Sequence, residues 1–86
     1  MKQQFVQAIK VEFKNVASQA IKQMGYDKAS RTAVVVFQSG GQYAYQKVSP
    51  ITFGRWIHSQ SKGRFFHRNI HGNYQYVKIL TGNKGV

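Results

Sequence analysis

Thr32-Ala33-Val34-Val35-Val36-Phe37, Ser39-Gly40-Gly41 and Gln42-Tyr43-Ala44-Tyr45-Gln46-Lys47-Val48 follow one another in the stretch whose reading decides the fold. The first run is rich in β-branched residues, the Gly pair tolerates positive φ, and the last run alternates large with small or polar side chains. Together they predict a β-hairpin. Its loop length sets which residues share a face. A two-residue Gly40-Gly41 turn pairs Gln38 with Tyr43 and Val36 with Tyr45. A three-residue Ser39-Gly40-Gly41 loop, with Gly41 left-handed, pairs Phe37 with Tyr43 and Val35 with Tyr45. The second register gathers the bulky residues on one face and is preferred, leaving Val34 and Val36 to be covered from the other side.

Outward from the hairpin, Ser18 to Tyr26 reads as a strand with Ala20, Lys22 and Met24 on one face and Ile21, Gln23 and Gly25 on the other. Asp27-Lys28-Ala29-Ser30 follows as a polar turn. Residues 1–16 carry both a helical spacing (Phe5, Ile9, Phe13) and an alternation (Ile9, Val11, Phe13), giving a short helix or an extended lead-in. Ser49 and Pro50 suit the N-cap and first position of a helix over about 50–60, with Ile51, Phe53, Trp56 and Ile57 as its apolar stripe. A second short helix is expected from Arg64 to His71, with Phe65, Phe66 and Ile70 inward and Gly72 ending it. Tyr74 to Ile79 alternates as a last strand, and residues 81–86 read as a flexible tail. The expected class is α+β: an antiparallel meander of three to four strands (about 18–26, 32–38, 42–48 and 74–79) packed against one helix plus a short helical turn.

The chain has 86 residues, no cysteine, and 13 Lys+Arg against 2 Asp+Glu, for a net charge of +11. That size holds one domain with a thin core. Without cysteine there are no disulfides, thiolate zinc sites or cysteine nucleophiles. With Glu12 and Asp27 as the whole acid complement, paired-carboxylate catalysis and carboxylate-held metals are improbable. No apolar run approaches the roughly 20 residues of a membrane span, and the start does not read as a signal peptide. The expectation is a soluble cytoplasmic protein without a membrane role. Residues 28–86 hold nine Lys/Arg and no acid. Such a surface repels itself and calls for an anionic partner, nucleic acid first and an acidic protein second.

Gly25-Tyr26-Asp27, Phe37-Gln38-Ser39-Gly40-Gly41-Gln42-Tyr43-Ala44-Tyr45, Val48-Ser49-Pro50, Ser61-Lys62-Gly63-Arg64-Phe65-Phe66 and Asn69-Ile70 stand in the order and near-spacing of the KTSC domain. The chain resembles that family over about residues 17–80. The family is named for the C-terminal end of some lysyl-tRNA synthetases and also occurs as small stand-alone bacterial and phage proteins. The resemblance implies RNA binding. Two departures stand out: Ser49 is inserted where the family has Val-Pro directly, and His67 replaces a common Asn. Residues 1–16 form an N-terminal extension.

The densest constellation is Lys62-Gly63-Arg64-Phe65-Phe66-His67-Arg68-Asn69-Ile70-His71-Gly72-Asn73-Tyr74. Cations interleaved with aromatics suit single-stranded nucleic acid, because cations track phosphates while rings stack on unpaired bases. Lys62, Arg64, His67, Arg68 and His71 are expected to bind phosphate, helped by backbone amides at Gly63 and by neutral donors from Ser59-Gln60-Ser61. Lys47, Arg55 and Lys78 extend that surface. Tyr43, Tyr45 and Tyr74 are the stacking candidates, although the preferred register makes Tyr43 and Tyr45 core residues. His67 and His71 at i, i+4 have zinc-pair spacing but no third ligand nearby, so no metal or cofactor is expected. The function expected is non-catalytic binding of RNA or single strands with low sequence selectivity. The alternatives are a phage or bacterial accessory protein occupying an acidic or RNA-containing host complex, and a small metal-independent ribonuclease of RelE type. A dimer is expected if Val34 and Val36 are exposed.

Overall fold

The computed structural model describes residues 11–79. The expectations for residues 1–10 and for the tail at 81–86 lie outside them. Five strands, β1 (Lys14–Asn15), β2 (Ile21–Asp27), β3 (Thr32–Phe37), β4 (Gln42–Tyr45) and β5 (Tyr76–Lys78), form one antiparallel sheet in sequence order. Between β4 and β5 run helix α1 (Pro50–Ile57) and the short helix α2 (Lys62–Phe65), continued by a π-helical turn, Phe66–Ile70. The α+β class stands, with five strands in place of three to four. The added one is β1, inside the expected N-terminal extension, where Lys14 pairs with Met24 and Asn15 with Gln23.

Three details of the sheet differ from the expected pattern. The hairpin pairs Val35 with Tyr43 and Ala33 with Tyr45, two residues away from the preferred register but on the same face. Its loop is Gln38-Ser39-Gly40: Phe37 N–H donates to the Gly41 carbonyl and Gly40 N–H to the Phe37 carbonyl, both at 2.8 Å. Gly40, at φ 107°, takes the left-handed position that Gly41 was expected to hold; this choice moves the loop back by one residue. In β2, the register shifts between Ile21 and Gln23. This bulge turns Ile21 to the same side as Met24, so both are fully buried where simple alternation separates them.

One core joins the sheet to the helices. Ile21, Met24, Ala33, Val35 and Tyr45 meet Val48, Trp56, Phe66 and Ile70. Helix α1 begins where Ser49 accepts from Thr52 N–H (3.1 Å) with Pro50 in the first turn, so the inserted serine supplies the cap. Trp56 is fully buried, and its indole N–H donates to the Lys62 carbonyl (3.1 Å). Helix α2 is capped by Ser61, which accepts from Arg64 N–H. The helical stretch expected at 64–71 therefore starts earlier, and its second half is wound more widely, with His71 N–H reaching the Phe66 carbonyl.

The sheet's other face carries Val34, Val36 and Ala44, also buried. Gly25 lies opposite Val34, and a Cβ there would fall on the Val11 side chain and against the Glu12 carbonyl. The Val11–Phe13 segment thus crosses this face at Gly25. With Val34 and Val36 buried within one chain, the exposure that argued for a dimer is absent.

Candidate functional site

The junction of α1 with α2, from His58 to Lys62 at the start of α2, is the meeting point of three surface grooves. One, of about 350 Å³, is bounded by Ala17–Ala20 and by Gln60–Gly63. The next, about 330 Å³, is lined by Lys14, Asn15, Val16, Ala17, Ile57, His58 and Lys62. A third, about 260 Å³, holds Arg64 and Arg68 together with Ser59, Gln60, Ser61, Phe65 and Asn69. Arg64 and Arg68 reach one groove because they are four apart across the junction of α2 with the π-helical turn. Lys62 borders the other two.

Much of the Ser-Lys-Gly-Arg-Phe-Phe segment builds the fold. Lys62 Nζ donates to the Ser59 carbonyl (3.0 Å), and the Lys62 carbonyl receives the Trp56 indole. Gly63 sits against Ala20, where a Cβ would come within 3.1 Å of the Ala20 methyl. Phe65 and Phe66 stack on Trp56 at ring-centroid distances of 6.3 and 5.9 Å. Arg64 is left as the exposed cation of this segment, with Arg68 exposed one turn further on in the π-helical turn.

The other expected phosphate contacts fall elsewhere. His67 and His71 are exposed but pack their rings on Phe66, 5.4 and 5.7 Å between centroids, and on each other at 6.0 Å. Among the described residues no group of three His, Asp or Glu forms a metal cluster. Arg55 is exposed in the last turn of α1. Lys47 follows β4 in a left-handed conformation, φ 60°, which turns Val48 inward. Val48 N–H donates to the Arg31 carbonyl, and the Val48 carbonyl accepts from the Tyr26 hydroxyl. Lys78 lies on β5 opposite Tyr43. Lys14 was not singled out by its sequence context, since only the pairing of β1 with β2 brings it to the loop.

The tyrosines divide. Tyr45 is 4 % exposed, wedged between Phe66 (5.6 Å) and Tyr76 (5.4 Å), so neither ring face is open to a base. Tyr74 packs against the core as the chain leaves the turn at Gly72. Tyr43 is half-buried, edge-on to Phe37 and to Tyr76. The exposed ring is Tyr76, at 58 %.

Burial, reinforced by the neighbouring Tyr76 and Tyr43 phenols, pushes the Tyr45 phenol up to about 12 from an ordinary 10.0. The folded protein holds this proton more tightly than the unfolded chain. Its stabilisation is therefore intact below about pH 10 and lost as pH rises towards 12. Urea midpoints on either side of this window should fall for the wild type and fall less for Tyr45→Phe. An equal fall in both would exclude Tyr45 as the group responsible.

The fold and its grooves define a class: a small, strongly basic sheet domain with one helical layer whose second helix and π-helical turn carry Lys62, Arg64 and Arg68 beside the junction with the first. No helix among the described residues is long and apolar enough to cross a membrane. A KTSC domain model matches residues 17–74, and the chain belongs to the KTSC domain family. A crystal structure of a KTSC domain protein from Yersinia pestis superposes with a TM-score of 0.80 and 31% identity, covering 83% of this chain and 100% of that one. Lysine-tRNA ligases from Trichormus variabilis and Nostoc punctiforme are 35% identical over 60 residues and 32% over 59. Each match takes in 69% of this chain and 10% of the ligase. The chain spans about a tenth of the length of these curated relatives.

Proposed function

We propose that this chain is a non-catalytic nucleic-acid-binding module, favouring RNA or single strands, that holds phosphates along the loop joining α1 to α2. The observation that carries this reading is the groove shared by Arg64 and Arg68, where the neutral side chains of Gln60 and Ser61 lie beside two exposed guanidinium groups, while the Ser59 hydroxyl is taken up by the Trp56 carbonyl. Arginine forks match phosphate geometry, and a chain of net charge +11 supplies the long-range field. Lys14 and Lys62 continue the surface around the loop, while Lys47, Arg55 and Lys78 add to the field. Kinship with proteins named as lysine-tRNA ligases supports an RNA ligand. Contacts of this kind read backbone rather than bases, so sequence selectivity is low.

The test is binding of a short fluorescent single-stranded RNA at several salt concentrations. Affinity should fall linearly with salt on logarithmic axes, with a slope of about −0.7 per phosphate contact on a single strand. Arg64→Ala with Arg68→Ala should flatten the slope by about 1.4. An unchanged slope would move the phosphate contacts away from this groove, and no binding at micromolar RNA in low salt would remove the reading. Incubation in EDTA separates binding from metal-free cleavage: the RNA should be retained and intact.

A further inference from the structure

We infer that Tyr76, backed by Tyr43 and flanked by Lys78, is a stacking platform for one unpaired base, and that it gives the protein its preference for single strands. This inference rests on the nucleic-acid reading above and adds a second element, separate from the Arg64 and Arg68 groove.

The rings of Trp56, Phe66, Tyr45 and Tyr76 form a chain from core to solvent, with centroid steps of 5.9, 5.6 and 5.4 Å. The first three are buried and the last is 58 % exposed. Tyr43 buttresses Tyr76 edge-on at 5.6 Å. An aromatic ring held in place by packed neighbours and open to solvent loses little entropy on meeting a base, so stacking there is pre-organised.

The surroundings fit an anionic nucleotide. Tyr76 and Lys78 stand two apart on β5, opposite Tyr45 and Tyr43, so they share a sheet face about 7 Å apart along the strand. A base on Tyr76 would leave its phosphate near the Lys78 ammonium. No acid occurs anywhere after Asp27 to repel that phosphate. β5 is an outer strand of the sheet, and a lysine on an outer strand also guards against edge-to-edge pairing. That role accounts for Lys78 but not for an exposed tyrosine beside it, which works against edge protection.

A duplex hides its base faces, whereas a single strand offers them. Wild-type protein should therefore bind a fluorescent oligo(U) of about 12 nucleotides more tightly than an abasic strand of the same length or a duplex of the same length. Tyr76→Ala should weaken oligo(U) binding by about tenfold and leave abasic and duplex binding unchanged, so that the three converge. Tyr76→Phe keeps the ring and should retain the preference. The side chain is exposed, so the variants should fold, as circular dichroism will show. Oligo(U) affinity unchanged in Tyr76→Ala, while Arg64→Ala with Arg68→Ala still weakens it, would overturn the platform and leave the groove standing. Absence of any binding by the wild type would overturn both. A wild-type dimer that becomes a monomer in Tyr76→Ala on light scattering, with RNA affinity untouched, would assign Tyr76 to a second copy of the chain instead.

Discussion

Trp56→Ala should leave the domain largely unfolded at temperatures where the wild type is folded. The indole is fully buried at the centre of the helical layer, with Phe53, Phe65 and Phe66 around it. Removing it costs the transfer energy of the ring plus a cavity, together about 3–5 kcal/mol. It also removes the indole N–H bond to the Lys62 carbonyl, which then keeps only the Phe66 backbone N–H. A chain of this length has a total stability of about 4–13 kcal/mol, so one substitution removes a large share of it. Far-ultraviolet circular dichroism during thermal or urea unfolding is the suitable readout, because Trp56 is the sole tryptophan and its fluorescence disappears with it. Trp56→Phe, which refills part of the space, should recover a good part of the loss. A melting curve for Trp56→Ala that superposes on that of the wild type would show that the helical layer does not depend on this residue.

Gly25→Val should loosen the Val11–Phe13 segment and with it β1. Valine suits strands better than glycine, by up to about 1 kcal/mol, and on an open strand the change would stabilise. At this site the new Cβ meets the Val11 side chain and the Glu12 carbonyl, and overpacking of that kind costs about 1–3 kcal/mol. The clash therefore outweighs the propensity. Its effect should be local: the Val16 amide, which donates to the Lys22 carbonyl at 3.2 Å, should exchange its hydrogen faster, and the Asn15 to Gln23 side-chain bond at 2.9 Å should weaken. Amides in the β3–β4 hairpin should change little. Unaltered exchange at Val16 would mean that the segment does not lean on Gly25.

The hairpin was legible in the sequence because Thr32–Phe37 and the Gly pair agree on one structure, and its inward face came out as expected. The register did not, since either Gly40 or Gly41 can fill the left-handed position and the local sequence does not choose between them. Ile21 shows a second limit. Alternation sets it against Met24, and the bulge that reunites them is imposed by pairing with Val36 and Phe37. β1 was illegible for a different reason: its two residues are exposed and joined to the sheet through the backbone, so they carry no apolar pattern. At the candidate site, Arg64 and Arg68 could be read from their spacing. The tie from Lys62 to Ser59 could not, nor could the exchange of Tyr74 for Tyr76 as the open ring. Both depend on where α1 and β5 dock, which is a matter of packing between distant segments.

The order of the strands also bears on how the sheet closes. β2, β3 and β4 are joined by the short loops 28–31 and 38–41, whereas β5 meets β4 only after residues 46–75 have come back to the sheet. Closing that longer loop costs about 2 kcal/mol more in chain entropy than closing either short one. β5 is also three residues long and exposed throughout, so little apolar surface repays the cost. β5, like the shorter β1 at the opposite edge, is therefore more easily opened than the central strands β2–β4, and the packing of Tyr76 on Tyr45 and Tyr43 is what holds it to the sheet. A strand of RNA lying across it would act as a clamp on the last seam of the fold.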